Sequence, residues 1–595
     1  MLSTIQRYVP IAAWLPNYDR DNLRGDITAG LTTAVMLIPQ GMAYAMLAGL
    51  PPIIGLYASI VPLAIYAAFG TSRQLAVGPV AMVSLLVASG VGALAEQGTD
   101  AYLAYAVLLA LMIGIFQTVM GIARLGFLTN FLSHPVVSGF TSAAALIIGL
   151  SQLKHLLGVN IPRSHHIHEI LLQAIERANE IHPSTFIIGA VSIALLMGLK
   201  KYAPRFPRAL AVVVVGTLAV LAFGLHESGV AIVGDVPAGF PPPSMPALDP
   251  EVMLGLLPTA ITISLVGFME SISVAKAFAT RNRYEVDSNQ ELIGLGLANV
   301  AGAFFSAYPV TGGFSRTAVN AQAGAKTPLA SLITAGIIAV ALLFFTPLFY
   351  YLPKAVLAAI IMTAVFGLVD VKEVKHLWAV KRTDLALLGL TFAATLTLGI
   401  EVGILTGVGA SLLAFVVRTT RPHTAVLGRV PGTRSYRNVN HVPDAETWDD
   451  LLIVRVDAQF YFGNVTFLKD TLKRLEGECA GTLSAVILDA SSINQLDSSA
   501  DAALHEIADA YARRDIKLLL ANVKGPVRDV MKRSHLIEKI GAERFFLDVD
   551  DAVRCARATI DGGDAPDADP LCRPAPAMPP ARPAVAPSGT SLSPA

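Results

Sequence analysis

An α-helical polytopic membrane protein followed by a small soluble α/β domain is predicted by three observations. The 595-residue chain is 54% hydrophobic and only 15% charged, far from the composition of a soluble globular domain. From about Ile27 to Val417, apolar stretches long enough to cross a hydrocarbon core of ~30 Å follow one another with only short polar punctuation. After Arg421 the pattern changes to strand-length apolar runs, such as Leu451 to Val456, Ala485 to Leu488 and Lys517 to Ala521, alternating with charged amphipathic stretches.

Taken in chain order, residues 1–26 hold Arg7, Trp14, Pro16, Asp19 and Arg20 without an apolar core or a small-residue cleavage site, and read as a cytoplasmic surface segment. Residues 27–421 form a transmembrane domain of roughly fourteen spans. Gly and Pro interrupt the stretches Ile27 to Ala45, Gln74 to Val91 and Tyr308 to Gln322. Such breaks are tolerated only where the freed backbone faces protein or a polar cavity. Arg73, Arg124, Lys200 to Arg208, Lys276 to Arg283, Lys326, Lys372 to Arg382 and Arg418 to Arg421 fall on alternate loops, which places those loops and both termini on the cytoplasmic side of an inner membrane. Residues 422–450 read as a linker and 451–560 as the α/β domain. Residues 561–595, rich in Pro and Ala and without periodicity, read as a disordered tail.

Composition also excludes classes. With 44 Lys and Arg against 44 Asp and Glu there is no basic excess for a nucleic-acid partner. Cys479, Cys555 and Cys572 all lie beyond the apolar region, which argues against a disulfide framework or a thiolate metal site. No phosphate-binding loop or hydrolytic triad spacing marks an enzyme. His165, His166 and His168 with Glu169 match no common metal-ligand spacing and read as a solvated loop, so no metal or other resident cofactor is expected.

Two interruptions occupy comparable places, the third and tenth spans: Leu75-Ala76-Val77-Gly78-Pro79-Val80-Ala81 and Tyr308-Pro309-Val310-Thr311-Gly312-Gly313-Phe314-Ser315-Arg316. Paired broken helices in inverted repeats meet at the midplane and aim their positive N-terminal ends at an anion. Pro79 suits a first helical position, and Gly312 and Gly313 admit close approach to the backbone. Packing kinks are the plainer alternative. Arg316 stands one residue inside the second broken helix, deep in apolar sequence, where a charge implies a partner or a function. Its expected partner is Glu270, the only carboxylate in the middle of the eighth span, which can give up and regain a proton and so serve coupling. A permanent structural ion pair is the alternative. Gln40 and Tyr44 follow Pro39, read as a break in the first span, and either line the same cavity or serve ordinary interhelical packing. In the soluble domain, Asp497-Ser498-Ser499-Ala500 reads as a helix cap, with a phosphorylatable serine as the sharper alternative.

These residues resemble the sulfate permease (SulP) family of anion transporters. The resemblance rests on Ile38-Pro39-Gln40-Gly41-Met42-Ala43-Tyr44-Ala45, on Pro52-Ile53-Ile54-Gly55-Leu56-Tyr57-Ala58-Ser59 leading to Gly70-Thr71-Ser72-Arg73 and Val77-Gly78-Pro79, and on Gly312 through Asn320. Leu451 to Ala552 resembles the family's STAS domain. The resemblance implies seven plus seven inverted repeats in core and gate domains, an elevator-like motion, and a homodimer whose STAS domains can meet a cytosolic partner. It implies a substrate cavity lined by Gln40, Tyr44, Val80, Ala81, Phe314, Ser315 and Arg316, with Glu270 as the proton-coupling residue. The substrate implied is a small inorganic anion, sulfate foremost, with proton as coupling ion and sodium as the alternative. Na⁺-bicarbonate symport, dicarboxylate uptake and anion exchange are rivals within transport. A passive anion channel and a STAS-centred membrane scaffold are rivals from other classes. Ala500 departs from the Gly often found beside the phosphorylated serine of soluble relatives, which argues against that control.

Overall fold

Most of the described residues between 23 and 420 are helical, because apolar segments in a bilayer keep their backbone hydrogen bonds internal by becoming helices. The computed structural model describes residues 8–127, 133–161, 167–203, 206–479 and 481–560. Two units emerge, residues 1–412 and 413–595. His165, His166, Cys572 and the 561–595 tail lie outside the described residues, as does the side chain of His168.

In the first unit eight described helices are long and apolar enough to cross a membrane: Arg20–Leu47, Pro52–Phe69, Asp100–Ile122, His134–Leu157, Pro183–Tyr202, Pro250–Asn282, Lys354–Val380 and, running to the unit's end and past it, Val402–Thr420. Ala81–Gly92, Arg208–Phe223 and Leu329–Phe344 are shorter apolar helices. Against the roughly fourteen spans expected from the sequence, eight described helices reach full span length, and other apolar segments fall short of it. The clearest is Phe314–Gln322, whose 9 residues cover only about 14 Å at 1.5 Å per residue. Pro39, read as a break, lies inside the continuous helix Leu23–Leu47, and Pro258 inside Pro250–Asn282. A proline removes one N–H from the ladder, and a helix packed on its neighbours continues through the kink.

Helix packing follows small residues. Asp100–Ile122 lies along Ser288–Ala303, and a Cβ added at Gly114 would stand 2.6 Å from the Val300 nitrogen and 2.7 Å from the Gly296 carbonyl. Only glycine lets the two backbones meet there. Leu23–Leu47 packs on Leu329–Phe344, whereas His134–Ser151 packs on Arg382–Leu398 and Pro183–Tyr202 on Lys354–Val365. One buried cluster, including Leu37, Leu86, Phe140, Phe268, Tyr308 and Ile361, runs through the unit.

The first unit also holds two very short strands, β1 (Val77–Gly78) and β2 (Thr311–Gly312). The second unit is built on a sheet of six: β3 (Thr424–Arg429), β4 (Tyr436–Asn438), β5 (Leu451–Val456), β6 (Ala485–Asp489), β7 (Lys517–Ala521) and β8 (Phe545–Phe546), in the order β4-β3-β5-β6-β7-β8. From β5 to β8 the pairs are parallel, which explains their continuous apolar runs. Leu452, Val454 and Val456 face Leu468, Leu472, Leu504 and Met531, while Leu451 and Ile453 face Val549, Val553 and Ala556, as the two-residue period of a strand requires. Residues 422–450, read as a linker, supply β3 and β4, with β3 antiparallel to β5 through Thr424↔Val456 and Val426↔Val454. The shortness of β4 at the sheet edge and the half-polar pattern of both strands hide them from a search for apolar runs. Asp497 caps Ser498–Ala512, its Oδ1 accepting from the Ala500 N–H at 2.8 Å.

Gly114→Leu is expected to overpack the contact with Ser288–Ala303 by about 1–3 kcal/mol and lower the thermal midpoint of the purified chain, with Gly114→Ala intermediate. A fluorescence-monitored melt in detergent checks the order.

Candidate functional site

The two broken segments meet. β1 and β2 pair antiparallel with Val77 opposite Gly312 and Gly78 opposite Thr311, and each runs directly into a half-helix, Ala81–Gly92 and Phe314–Gln322. Helix starts at Ala81 rather than Pro79, with Val80 as the extended N-cap residue. Neither Val80 nor Gly313 caps its helix through a side chain. The helical ladders begin with Ser84 N–H to Val80 and Thr317 N–H to Gly313, both at 3.0 Å. The N–H groups of each first turn are left pointing out of the helix end, which concentrates positive potential there.

Polar side chains complete the backbone that the break exposes. Asn299 accepts from Val310 N–H at 2.9 Å and donates to Val310 C=O at 3.0 Å. The Ser271 hydroxyl accepts from Gly312 N–H at 2.8 Å, Thr317 accepts from Ala76 N–H at 3.1 Å, and Asn320 donates to Gln74 C=O at 2.9 Å. Thr311 donates to the Gly267 carbonyl at 2.7 Å, anchoring β2 to helix Pro250–Asn282. The sequence reading did not single out Ser271, Asn299 or Thr317. Their signal was a hydrogen-bonding side chain inside an otherwise apolar span.

Arg316, the third residue of its half-helix, is 2% exposed. Its Nη1 donates to Pro79 C=O at 2.5 Å and Nη2 reaches Ala76 C=O at 3.5 Å, while Nε has no partner. The guanidinium therefore bridges from one half-helix to the entry of the other. Two glycines make room for it: a Cβ at Gly78, whose φ is +151°, would lie 3.5 Å from Arg316 Cζ, and one at Gly313 would lie 3.1 Å from Nη2.

The ion pair expected between Arg316 and Glu270 is not formed: among the described residues no carboxylate lies within salt-bridge distance of Arg316. The arginine is already committed to main-chain carbonyls across the break, and Glu270 Oε2 is shut from solvent without a hydrogen-bond partner. Glu270, Tyr44 and Tyr308 nevertheless all lie within the electrostatic field of Arg316. Gln40 and Tyr44 are buried one turn apart on the same helix, and Val80 and Ala81 are buried at the first break. Phe314 is 60% exposed and Ser315 is also exposed, so these two stand at the open edge of the arrangement while Arg316 forms its floor.

Two further carboxylates hold the loops on either side. Asp26, fully buried, accepts from Lys326 N–H (2.7 Å), Thr327 N–H (3.1 Å), Thr327 Oγ1 (2.6 Å) and Tyr18 OH (3.0 Å). Glu291, also fully buried, accepts from Thr71 N–H (2.6 Å), Ser72 N–H (3.0 Å), Thr71 Oγ1 (2.7 Å) and Tyr66 OH (2.7 Å). The same donor set recurs: two consecutive amides, a threonine and a tyrosine. Glu291 grips the loop entering β1, and Asp26 the loop leaving the second half-helix. Among the described residues no group of three or more His, Cys, Asp or Glu is gathered to hold a metal ion.

The profile of the sulfate permease family matches residues 23–391 and that of the STAS domain residues 442–552. Sulfate transporter 4.1, chloroplastic, of Arabidopsis thaliana is 43% identical over 585 residues, covering 95% of this chain and 85% of that protein. A probable sulfate transporter of Mycobacterium tuberculosis (strain CDC 1551 / Oshkosh) is 35% identical, covering 92% of this chain and 98% of its own. Among solved structures, the murine Solute Carrier 26 family member A9 anion transporter in the inward-facing state superposes with a TM-score of 0.86 at 27% identity, covering 93% and 95% of the two chains.

Asn299→Ala is expected to strand the buried Val310 amide and carbonyl, each at about 1–3 kcal/mol, and to lower the thermal midpoint by more than Gln40→Ala does. The same melt checks it; an unchanged midpoint would mean that Val310 finds other partners.

Proposed function

Since the chain belongs to the sulfate permease family, whose members are membrane-spanning anion transporters and not enzymes, we propose that it takes up sulfate together with protons. The observation that carries this reading is the convergence of two uncapped helix N-termini on a buried arginine. Each N-terminus is equivalent to about half a positive charge, and with the guanidinium the three sum to about +2, the complement of a sulfate dianion. An ionised Glu270 in the same field reduces that sum by one. A proton on Glu270 restores it, so that binding of the dianion and of the proton favour each other. Arg316 and the first-turn amides of both half-helices hold the oxyanion. Gln40, Tyr44, Val80, Ala81, Phe314 and Ser315 line the cavity, and Glu270 carries the coupling proton. The homodimer of the family resemblance, an inner-membrane location with cytoplasmic termini, and an elevator motion in which the half-helices travel with their frame complete the proposal.

Uptake of labelled sulfate into proteoliposomes, with and without an inward proton gradient or a sodium gradient, tests it. Bicarbonate, succinate and chloride serve as competitors. Sulfate accumulates with the proton gradient, Arg316→Ala abolishes uptake and binding, and Arg316→Lys retains a fraction because it keeps the charge without the fork. Glu270→Gln keeps sulfate counterflow and loses accumulation. Normal uptake by Arg316→Ala sinks the site assignment, and a Glu270→Gln protein that still follows the proton gradient sinks the coupling role. Accumulation driven by sodium, or competition by bicarbonate or succinate stronger than by sulfate, replaces the substrate and ion named here.

A further inference from the structure

Helix Val371–Val380 joins two membrane segments, Lys354–Val365 through the short turn Phe366–Leu368, and Arg382–Leu398. It starts afresh with its own cap, Asp370 Oδ1 accepting from Glu373 N–H at 3.0 Å. The apolar run Lys354–Val380 is therefore broken at residues 366–370, and because cations are costly in hydrocarbon, the lysine-bearing half belongs at the level of the headgroups rather than in the span. Leu377 is buried against the protein, yet Val371, Val374 and Trp378 are 57%, 38% and 66% exposed. Their spacing of three and four residues puts them on one stripe. Lys372 and Lys375 border that stripe, and Lys381 and Arg382 follow at its end, all four exposed. None of them pairs with a carboxylate among the described residues; the Arg382 guanidinium instead lies 5.9 Å over the Trp378 ring.

We propose that this helix is an interfacial element that binds anionic phospholipid headgroups. Val371, Val374 and the Trp378 ring sit at the boundary of the acyl chains, where an amphipathic aromatic ring is favoured. The unpaired cations on the adjoining arc meet the headgroup phosphates. Another short amphipathic helix, Ile167–Glu176, supplies the contrast. Leu171, Leu172 and Ile175 are exposed there too, but its charged residues are Glu169 and Glu176 and the Arg177 that follows donates to the Asn160 carbonyl, so it has the apolar stripe without a row of exposed lysines. Charge therefore distinguishes a lipid-selective helix from one that merely touches the bilayer.

The chain has 3 tryptophans; replacing Trp14 and Trp448 by Phe in the full-length protein leaves Trp378 as the sole reporter. In vesicles, Trp378 emission is expected to be quenched by brominated acyl chains, and several-fold more by brominated phosphatidylglycerol than by an equal mole fraction of brominated phosphatidylcholine. Lys372→Gln, Lys375→Gln and Lys381→Gln together are expected to erase that preference while quenching persists; the corresponding Lys→Arg set is expected to retain it. Phosphatidylglycerol co-purified with the unsubstituted protein, compared with the triple Gln variant by mass spectrometry, gives the same comparison without the Trp changes. Absence of quenching, equal quenching by both lipids, or quenching that appears only after removal of residues 422–595 overturns the proposal, the last by making the C-terminal domain the occupant of this face.

Discussion

A backbone that ceases to be helical inside a bilayer must find a partner for each amide it exposes, because hydrocarbon offers none and each unpaired group costs several kcal/mol. Everything notable about the first unit follows from meeting that requirement twice at one place. β1 and β2 satisfy part of each other, and Asn299, Ser271, Thr317 and Asn320 satisfy much of the rest. Once the extended segments are paired, the half-helices they feed begin with nothing at their ends. The positive potential that would ordinarily be capped is left facing a gap, and Arg316 adds a full charge beside it. The need to satisfy the backbone and the concentration of positive charge thus come from the same break.

Much of this was legible because Gly and Pro are conspicuous in apolar sequence. Val77-Gly78-Pro79 and Thr311-Gly312-Gly313 stand out as interruptions, and Arg316 stands out as a charge where charge is costly. The pairing of the two interruptions followed from their matching places in the two halves. What remained hidden depends on distances between residues far apart in sequence. That Arg316 would spend its donors on Pro79 and Ala76 rather than on Glu270 is a matter of a few ångströms of reach across the crossing. Pro39 shows the opposite error: a helix-breaking residue does not break a helix whose neighbours hold it. Asn299 and Ser271 carry no pattern at all, only the oddity of their polarity. In the second unit, β5 to β7 are written plainly as apolar runs, whereas β3 and β4 take their order from the edge they extend.

The soluble domain illustrates how burial on two faces shapes a sequence. Alternate residues of β5 serve different clusters, so its first four positions are all apolar and only Arg455, near its end, is polar; its identity as a strand is read from length and β-branching instead of alternation. Family membership joins the two units in one description, since the matched regions cover both.

The twin carboxylate grips have a mechanical meaning. Glu291 and Asp26 are each wrapped by 4 donors, 3 from the loop that flanks the crossing and 1 from a tyrosine outside it, Tyr66 or Tyr18. A charged acceptor contributes about 1.5–3 kcal/mol per bond, so prising either loop loose strands a buried ion. The crossing consequently has no soft joint of its own: it is a rigid cassette. Any large motion of this unit has to carry the cassette whole, and flexibility must be sought at its outer seams.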